Sequence, residues 1–262
     1  MDLSMFSMEG RTVIITGGSG GIGRGCARAF AKAGANIVIA SVPADSIPPA
    51  LEEANELGAE TLGVAVNVSD PEEVESMVRQ TIERFGSIDV LLNVAGGTYS
   101  RNPDMPQFAR APLLELDPAD FMTAYEANVK TAFLCAKAVV PQMKKQGKGV
   151  IINTGSMSGL NLRPDRTGDL SAYGASKAAL HALTARMAQQ WGPEVRVNCI
   201  APGTIDTPRP GGTVRPEMAE APNRIPLGRV GYADDIGGVA LFLASDASGF
   251  VNGQTLAVTG GE

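Results

Sequence analysis

The sequence predicts an α/β protein built on a doubly wound parallel sheet of about seven strands. Three observations lead there. Short β-branched apolar runs alternate with helical stretches along all 262 residues, the order that parallel pairing with right-handed crossovers requires. The runs are nearly continuous, as in Thr12-Val13-Ile14-Ile15-Thr16, so each expects cover on both faces. Glycine is in excess, with 31 residues and no three-residue period, which suits tight turns and close backbone approaches.

The first strand, 12–16, leads through Gly17-Gly18-Ser19-Gly20-Gly21-Ile22-Gly23 into a helix over 24–33 that stops at Gly34. A strand over 36–40, a helix over 51–57 ended by Gly58 and a strand over 62–66 follow. The helix over 71–85 carries its own start signal. Ser69 or Asp70 can accept free backbone N–H groups, and Pro71 sits at the first position, where a missing N–H costs nothing. A fourth strand covers 88–92. Helices are expected over 120–143 with a break near Asn128, then a strand over 150–154 and a helix over 171–190. A strand over 195–200, a helix over 234–244 and a last strand over 255–258 complete the series. No repeat, low-complexity tract or linker interrupts it, so residues 1–262 read as one domain.

Composition excludes several classes. A net charge of −6 argues against nucleic acid as the main partner, because phosphate binding needs a basic surface. Cys26, Cys135 and Cys199 are odd in number and far apart, and read as buried hydrophobes in a reducing compartment. The single histidine, His181, cannot build a metal site of the usual kind; it reads as packing or a subunit contact. No apolar run reaches about 18 residues, and the first eight residues lack a signal peptide's features. A cytoplasmic protein is expected.

Ligands of such sheets bind beyond the carboxyl ends of the strands. Gly17–Gly23, Asn93-Val94-Ala95-Gly96-Gly97, Gly155-Ser156 and Ala201-Pro202-Gly203 all fall there. The first loop joins a strand to a helix, the context in which glycines let a pyrophosphate approach backbone N–H groups. Its spacing fits three patterns, through Gly18, Gly20 and Gly23, through Gly17, Gly20 and Gly23, or through Gly17, Gly21 and Gly23. A tight turn without a ligand is the alternative. Tyr173 and Lys177 lie four residues apart on one helix face. A free phenol near pKa 10 is too weak a base at neutrality, and an adjacent cation would lower that value. The pair is a candidate acid/base device, although the spacing alone is common by chance. Ser156 can converge on the same mouth.

Thr16-Gly17-(x)3-Gly21-Ile22-Gly23, Asn93-Val94-Ala95-Gly96, Asn128, Ser156, Tyr173-(x)3-Lys177 and Pro202-Gly203-(x)3-Thr207 occur in this order. Together they resemble the motifs of the short-chain dehydrogenase/reductase family, in its compact single-domain branch. The resemblance covers essentially the whole chain, including the closing Gly253-Gln254-Thr255-Leu256-Ala257-Val258-Thr259-Gly260-Gly261. It implies a Rossmann-like fold and selects the set Gly17, Gly21 and Gly23. It also implies that Tyr173 is the general acid for carbonyl reduction or the base for alcohol oxidation. Lys177 would bind the nicotinamide ribose and lower the Tyr173 pKa, Ser156 would hold the substrate oxygen, and Asn128 would hold a water linking Lys177 to solvent. The implied cofactor contacts are Gly17, Ser19, Gly21, Ile22, Gly23, Ser41, Asn67, Val68, Asn93, Ala95, Gly96, Tyr173, Lys177, Pro202, Gly203, Ile205 and Thr207. Thr204, Ile205 and Thr207 would secure the carboxamide and phosphates.

The chain departs from this pattern in places. An acid at the end of the second strand would take the ribose 2′-OH of NAD and repel the 2′-phosphate of NADP. Ser41 stands there, followed by Val42, and Asp45 lies past Pro43. No Arg follows, and Gly20 replaces a basic residue frequent in NADP enzymes. Asn67-Val68 stands where Asp-Val is usual. The balance leans to NADP(H) over NAD(H). Val94 replaces the second Asn of Asn-Asn-Ala-Gly, a variation in packing. Stretches 97–118 and 160–170 are longer than in similar sequences. There Arg163 or Arg166 could meet an anionic substrate, while Asp165 and Asp169 favour a solvated loop or a subunit contact. Residues 208–224 are the expected lid. Met105, Met122, Met157 and Met218 offer an adaptable apolar wall.

The resulting expectation is an NAD(P)-dependent oxidoreductase that interconverts a secondary alcohol and a ketone of small-molecule size. Residues 120–129 and 93–97 are similar to hydroxysteroid-type dehydrogenases. Asn67-Val68 and the missing acid at Ser41 are more similar to 3-oxoacyl-carrier-protein reductases, against which stands the lack of a basic excess to greet an acidic carrier. A non-catalytic dinucleotide sensor is the alternative of another class; it would have no need of Ser156, Tyr173 and Lys177 together. The resemblance further implies a homotetramer, with the helices from Asn128 and from Ser171 across one interface.

Overall fold

The computed structural model describes residues 4–97, 113–160, 171–207 and 221–262. Its strands are β1 (Thr12–Thr16), β2 (Asn36–Ser41), β3 (Thr61–Ala65), β4 (Val90–Asn93), β5 (Gly149–Thr154), β6 (Val195–Pro202), β7 (Ile205–Asp206), β8 (Gly231–Tyr232) and β9 (Thr255–Val258). Seven of them form one parallel sheet in the order β3-β2-β1-β4-β5-β6-β9. The chain winds outward from β1 to β3, then returns to place β4 on the other side of β1. That reversal opens a crevice at the carboxyl ends of β1 and β4. Thr16 there is in register with both Ala40 and Asn93.

The helices are α1 (Gly21–Lys32), α2 (Pro48–Glu56), α3 (Pro71–Phe85), α4 (Pro118–Tyr125), α5 (Thr131–Gln146), α6 (Ser171–Trp191) and α7 (Ala233–Ala244). The Asp70 carboxylate accepts the Glu72 N–H at 2.9 Å and so caps α3, which Gly86 ends at φ +79°. Asp117 and Pro118 start α4 the same way, with Asp117 accepting the Ala119 N–H at 2.7 Å. The sequence places the starts of α1 and α2 three residues too late. Glycines 21 and 23 enter the first turn of α1, and Pro48 and Pro49 open α2 where their missing N–H groups cost nothing. The short pair β7–β8 is unanticipated, since two residues carry no hydrophobic period.

The expected break near Asn128 is instead a π-helical turn, Glu126–Lys130, that joins α4 to α5 without interruption. Its cause is local. The Asn128 side-chain amide donates to the Ala124 carbonyl at 2.9 Å, the acceptor its own backbone N–H would use in an α-helix.

Successive residues of each strand feed opposite cores, which explains the unbroken apolar runs. Val13, Ile15, Ile37, Ile39 and Leu92 pack with Phe30 of α1 and Ile236 and Leu243 of α7. Ile14, Val38, Leu91 and Ile151 pack on the other face with Met77 of α3, Val139 and Met143 of α5 and Met187 of α6. Each fully buried side chain of this size stabilises the fold by about 1.5–3 kcal/mol. Cys26, Cys135 and Cys199 are free and buried in these layers, and burial pushes their thiols up to about 12, 12 and 11. On the α1 side, a β-carbon on Gly25 would lie 2.5 Å from Ala233, so that glycine lets α1 and α7 touch.

Candidate active site

A groove of about 1230 Å³ runs along the carboxyl ends of β1–β4. Gly17, Ser19, Gly20, Gly21 and Ile22 form its floor, and Ser41, Asn67, Val68, Ala95, Gly96 and Thr207 line its walls. Gly17 and Gly21 adopt φ +65° and +48°, a region that side chains with a β-carbon rarely enter. A β-carbon on Gly23 would strike the Gly17 carbonyl, and one on Gly18 would lie 2.8 Å from the Ile15 carbonyl. Among the described residues no side chain caps the start of α1, which leaves its N–H groups and dipole at the groove, the arrangement that takes a phosphate. The residues present therefore fit a dinucleotide.

The end of β2 carries hydroxyls instead of a carboxylate. Ser19 Oγ lies 2.7 Å from Ser41 Oγ, and Ser46 Oγ donates to Ser19 Oγ at 2.9 Å. Ser46 lines the groove and Asp45 does not. Glu53 is the carboxylate of this wall, and it is held by Arg24 Nε at 2.5 Å and Arg28 at 3.2 Å. Arg28 also pairs with Asp234 at 2.5 Å. These pairs lower the Glu53 pKa against the cost of its burial. Sequence reasoning missed this network because its partners are 25 to 206 residues apart.

Thr16 at the tip of β1 fixes the next loop. Its hydroxyl accepts the N–H groups of Val94 and Ala95, each at 3.1 Å, and donates to the Leu92 carbonyl. The Asn93 side chain turns away from the groove. It is buried and donates to Asn153 Oδ1 at 2.9 Å, and Asn153 donates in turn to Thr184 at 2.9 Å. Beyond β6, Gly203 fits against Thr259, and Ile205 is buried in the core. The Glu262 carboxylate accepts the Thr204 N–H at 3.0 Å and its hydroxyl at 2.9 Å. Glu262 escaped sequence reasoning for the same reason as the ion pairs.

Ser156, Tyr173, Lys177 and Asn128 meet where β5 and α6 face the π turn. Ser156 leaves β5 in an extended conformation, and its hydroxyl accepts the Ser158 N–H at 3.1 Å. It also hydrogen-bonds to the Tyr173 phenol, which pulls that pKa down, while burial pushes it up by more. Lys177 is 4 % exposed. Its ammonium donates to the Thr154 carbonyl at 2.7 Å, and burial lowers its pKa to about 8.

One expectation is corrected here. The Tyr173 pKa is raised, with Lys177 not among the causes. The ammonium sits over the phenol ring, 5.6 Å from its centroid, tethered to Thr154. The Asn128 side chain is 1 % exposed and engaged within the protein. It gives its amide protons to Gly97 O at 2.8 Å, Ala124 O at 2.9 Å and Ser176 Oγ at 3.2 Å, and Oδ1 accepts the Gly97 N–H. Ser176 donates to the Tyr173 carbonyl, so Asn128 ties the Gly96–Gly97 corner to the helix of Tyr173. The expectations for Arg163, Arg166, Met105, Met218 and most of the lid over 208–224 fall outside the described residues.

A family described as enoyl-(acyl carrier protein) reductase matches residues 17–262. The 7α-hydroxysteroid dehydrogenase of Escherichia coli (strain K12) is 35 % identical over 256 residues, 97 % of this chain and 94 % of that protein. The 3-oxoacyl-[acyl-carrier-protein] reductase of Thermotoga maritima is 33 % identical over 97 % of this chain and 98 % of that protein. A solved 7α-hydroxysteroid dehydrogenase, complexed with NADH and 7-oxo glycochenodeoxycholic acid, superposes with a TM-score of 0.87. It is 34 % identical, covering 100 % of this chain and 97 % of that one. With its doubly wound sheet, glycine loop and Ser156–Tyr173–Lys177 mouth, this chain belongs to the short-chain dehydrogenase/reductase family of NAD(P)-dependent oxidoreductases acting on alcohols and ketones.

Proposed function

We propose that Tyr173 exchanges the proton in the interconversion of a ring-borne secondary alcohol and its ketone, the whole chain acting as one dinucleotide-binding and catalytic domain. The carrying observation is the hydrogen bond between Ser156 and Tyr173 beside the buried Lys177 ammonium. When bound, the dinucleotide supplies or takes the hydride. Ser156 and Tyr173 then hold the substrate oxygen between two hydroxyls. The phenol gives its proton to that oxygen during reduction and recovers it during oxidation. A neutral phenol, favoured by burial, is the form that reduction needs. Lys177 sits next to it as a cation and is one proton source for its renewal. Asn128, on the π turn, is proposed to hold a water that links Lys177 to solvent. Relatives that act on hydroxysteroids support a steroid-sized substrate. A 3-oxoacyl group on a carrier is the second reading, supported by the carrier-protein reductase relative and by Asn67-Val68.

NADP(H) is preferred over NAD(H) in this reading, because Ser19, Ser41 and Ser46 present hydroxyls where a carboxylate would repel a 2′-phosphate. Glu53 is neutralised by two arginines. Titration of NADPH and NADH by nicotinamide fluorescence tests it. At least tenfold tighter NADPH binding is expected, and tighter NADH binding would contradict the preference. Equal retention of both in Ser41→Asp would remove Ser41 from the site. The protein is proposed to act in the cytoplasm as a homotetramer. Among the described residues no helix is long and apolar enough to cross a membrane, and Phe133 of α5 is 41 % exposed, available to a second subunit. Light scattering at about four times the chain mass is the expected result, and a monomer would contradict it.

A further inference from the structure

We infer that His181 is a positioning residue for Ser156, an inference that rests on the reading of Ser156 and Tyr173 as the proton-transfer pair. His181 stands one turn beyond Lys177 on α6, beneath the 155–159 turn. Its Nε2 accepts the backbone N–H of Ser156 at 3.4 Å. The imidazole touches both ends of that turn. A β-carbon on Gly155 would strike Nε2, and one on Gly159 would lie 3.0 Å from Cε1. Gly159 also lies so close to α6 that a β-carbon there would come within 2.6 Å of the Ala178 nitrogen, and one on Gly174 would meet the Ser158 carbonyl at 2.9 Å. Three glycines thus let the serine-bearing turn lie flush on α6, and the ring fills the space they leave.

An acceptor at Nε2 requires the proton of the neutral ring to be on Nδ1. That nitrogen is buried with no hydrogen-bond partner among the described residues, and a backbone group of Gly159 favours protonation of the ring. A ring with this tautomer holds the Ser156 end of the turn through Nε2, while its Cε1 edge packs toward Gly159. A second proton would turn Nε2 into a donor aimed at another donor, releasing Ser156. The titratable groups facing the ring among the described residues are Lys177 on α6 and Cys199 on β6. The thiol is neutral, with its pKa near 11, and the ammonium opposes a second charge, as does burial. His181 consequently stays neutral through the physiological range and keeps its acceptor. Loss of the acceptor lets the Ser156 hydroxyl drift from the phenol it bonds.

This chain has one histidine and four tyrosines, so the test needs no substrate. Long-range 1H–15N spectra of the protein should show the Nδ1–H tautomer at pH 7; the Nε2–H tautomer would overturn the inference. In protein labelled at tyrosine 13Cζ, with Tyr173 assigned through Tyr173→Phe, His181→Leu should move the Tyr173 resonance. Ser156→Ala should produce the same kind of shift, and His181→Leu should add nothing to it in the Ser156→Ala background. His181→Gln, which returns an acceptor near the Nε2 position, should restore the signal and guards against a folding defect in the leucine variant. An unmoved Tyr173 resonance in folded His181→Leu, or a shift that persists undiminished on the Ser156→Ala background, would overturn the inference. Full turnover in Tyr173→Phe would instead remove the proton-transfer reading beneath it, a distinct outcome.

Discussion

The two halves of the site are built from different materials. Around β1 and β2 the groove is shaped by backbone. Gly17, Gly18, Gly21 and Gly23 make room, and the neighbouring polar groups are serine hydroxyls and part-exposed ion pairs. Around β4, β5 and α6 it is shaped by buried polar side chains linked in chains, from Asn93 through Asn153 to Thr184 and from Asn128 through Ser176 to the Tyr173 carbonyl. The first half is sensitive to an added atom and tolerant of lost charge. The second is sensitive to a lost partner, because an unpaired polar group in a dry interior costs far more than a typical hydrogen bond gains.

The largest departure from this contrast should come from one methyl group. Gly23→Ala sets a β-carbon against the Gly17 carbonyl; overpacking of this kind costs about 1–3 kcal/mol. Dinucleotide binding, read by fluorescence titration, should weaken by at least tenfold, and unchanged binding would break the backbone-cradle account. On the other side, Asn153→Ala removes one partner each from Asn93 and Thr184. Chemical denaturation should report a loss of about 2–3 kcal/mol, with the phosphate end of the groove unaffected. A loss below about 0.5 kcal/mol would show that the buried chain is not what holds β4 to β5.

A smaller effect sharpens the comparison through pH. Lys177 falls from its ordinary 10.5 to about 8 in the folded chain. Between those values the unfolded chain binds more protons, so stability rises with pH. Tyr173, with its raised pKa, opposes this only above its ordinary value near 10. The buried thiols of Cys26, Cys135 and Cys199, raised from 9.0 to about 12, 12 and 11, pull the other way over the same range, so the lysine effect is read as a difference between two proteins. The stability of the ligand-free protein relative to Lys177→Met should rise by about 1–2 kcal/mol from pH 8 to 9.5, and a difference that stays flat would contradict the assignment to Lys177.

What the sequence made legible follows the same division. Strand positions came within one or two residues because β-branched runs buried on both faces have few alternatives, and α3 came whole because Asp70, Pro71 and Gly86 are local signals. The glycine loop was legible from its place between a strand and a helix, and Ser156, Tyr173 and Lys177 from the family resemblance, since their spacing alone is common by chance. Contacts between distant segments were not. Glu53 with Arg24, Glu262 with Thr204, and Ser46 with Ser19 leave no trace in any short window. The π turn escaped because it depends on where one side-chain amide points. His181 escaped because its partner is a backbone N–H 25 residues away, and the Tyr173 pKa was misjudged because burial raises it and the Lys177 ammonium, tethered to Thr154, does not offset this.

The central claim is that Tyr173 moves the proton while the dinucleotide is held chiefly by the glycine half of the site. Turnover and dinucleotide affinity should therefore be measured together in Tyr173→Phe, with 7-oxo glycochenodeoxycholic acid and a panel of cyclic ketones. The account predicts a fall in kcat of at least about 100-fold with dinucleotide affinity within a factor of three. Turnover within a factor of three of the unmodified protein would contradict it.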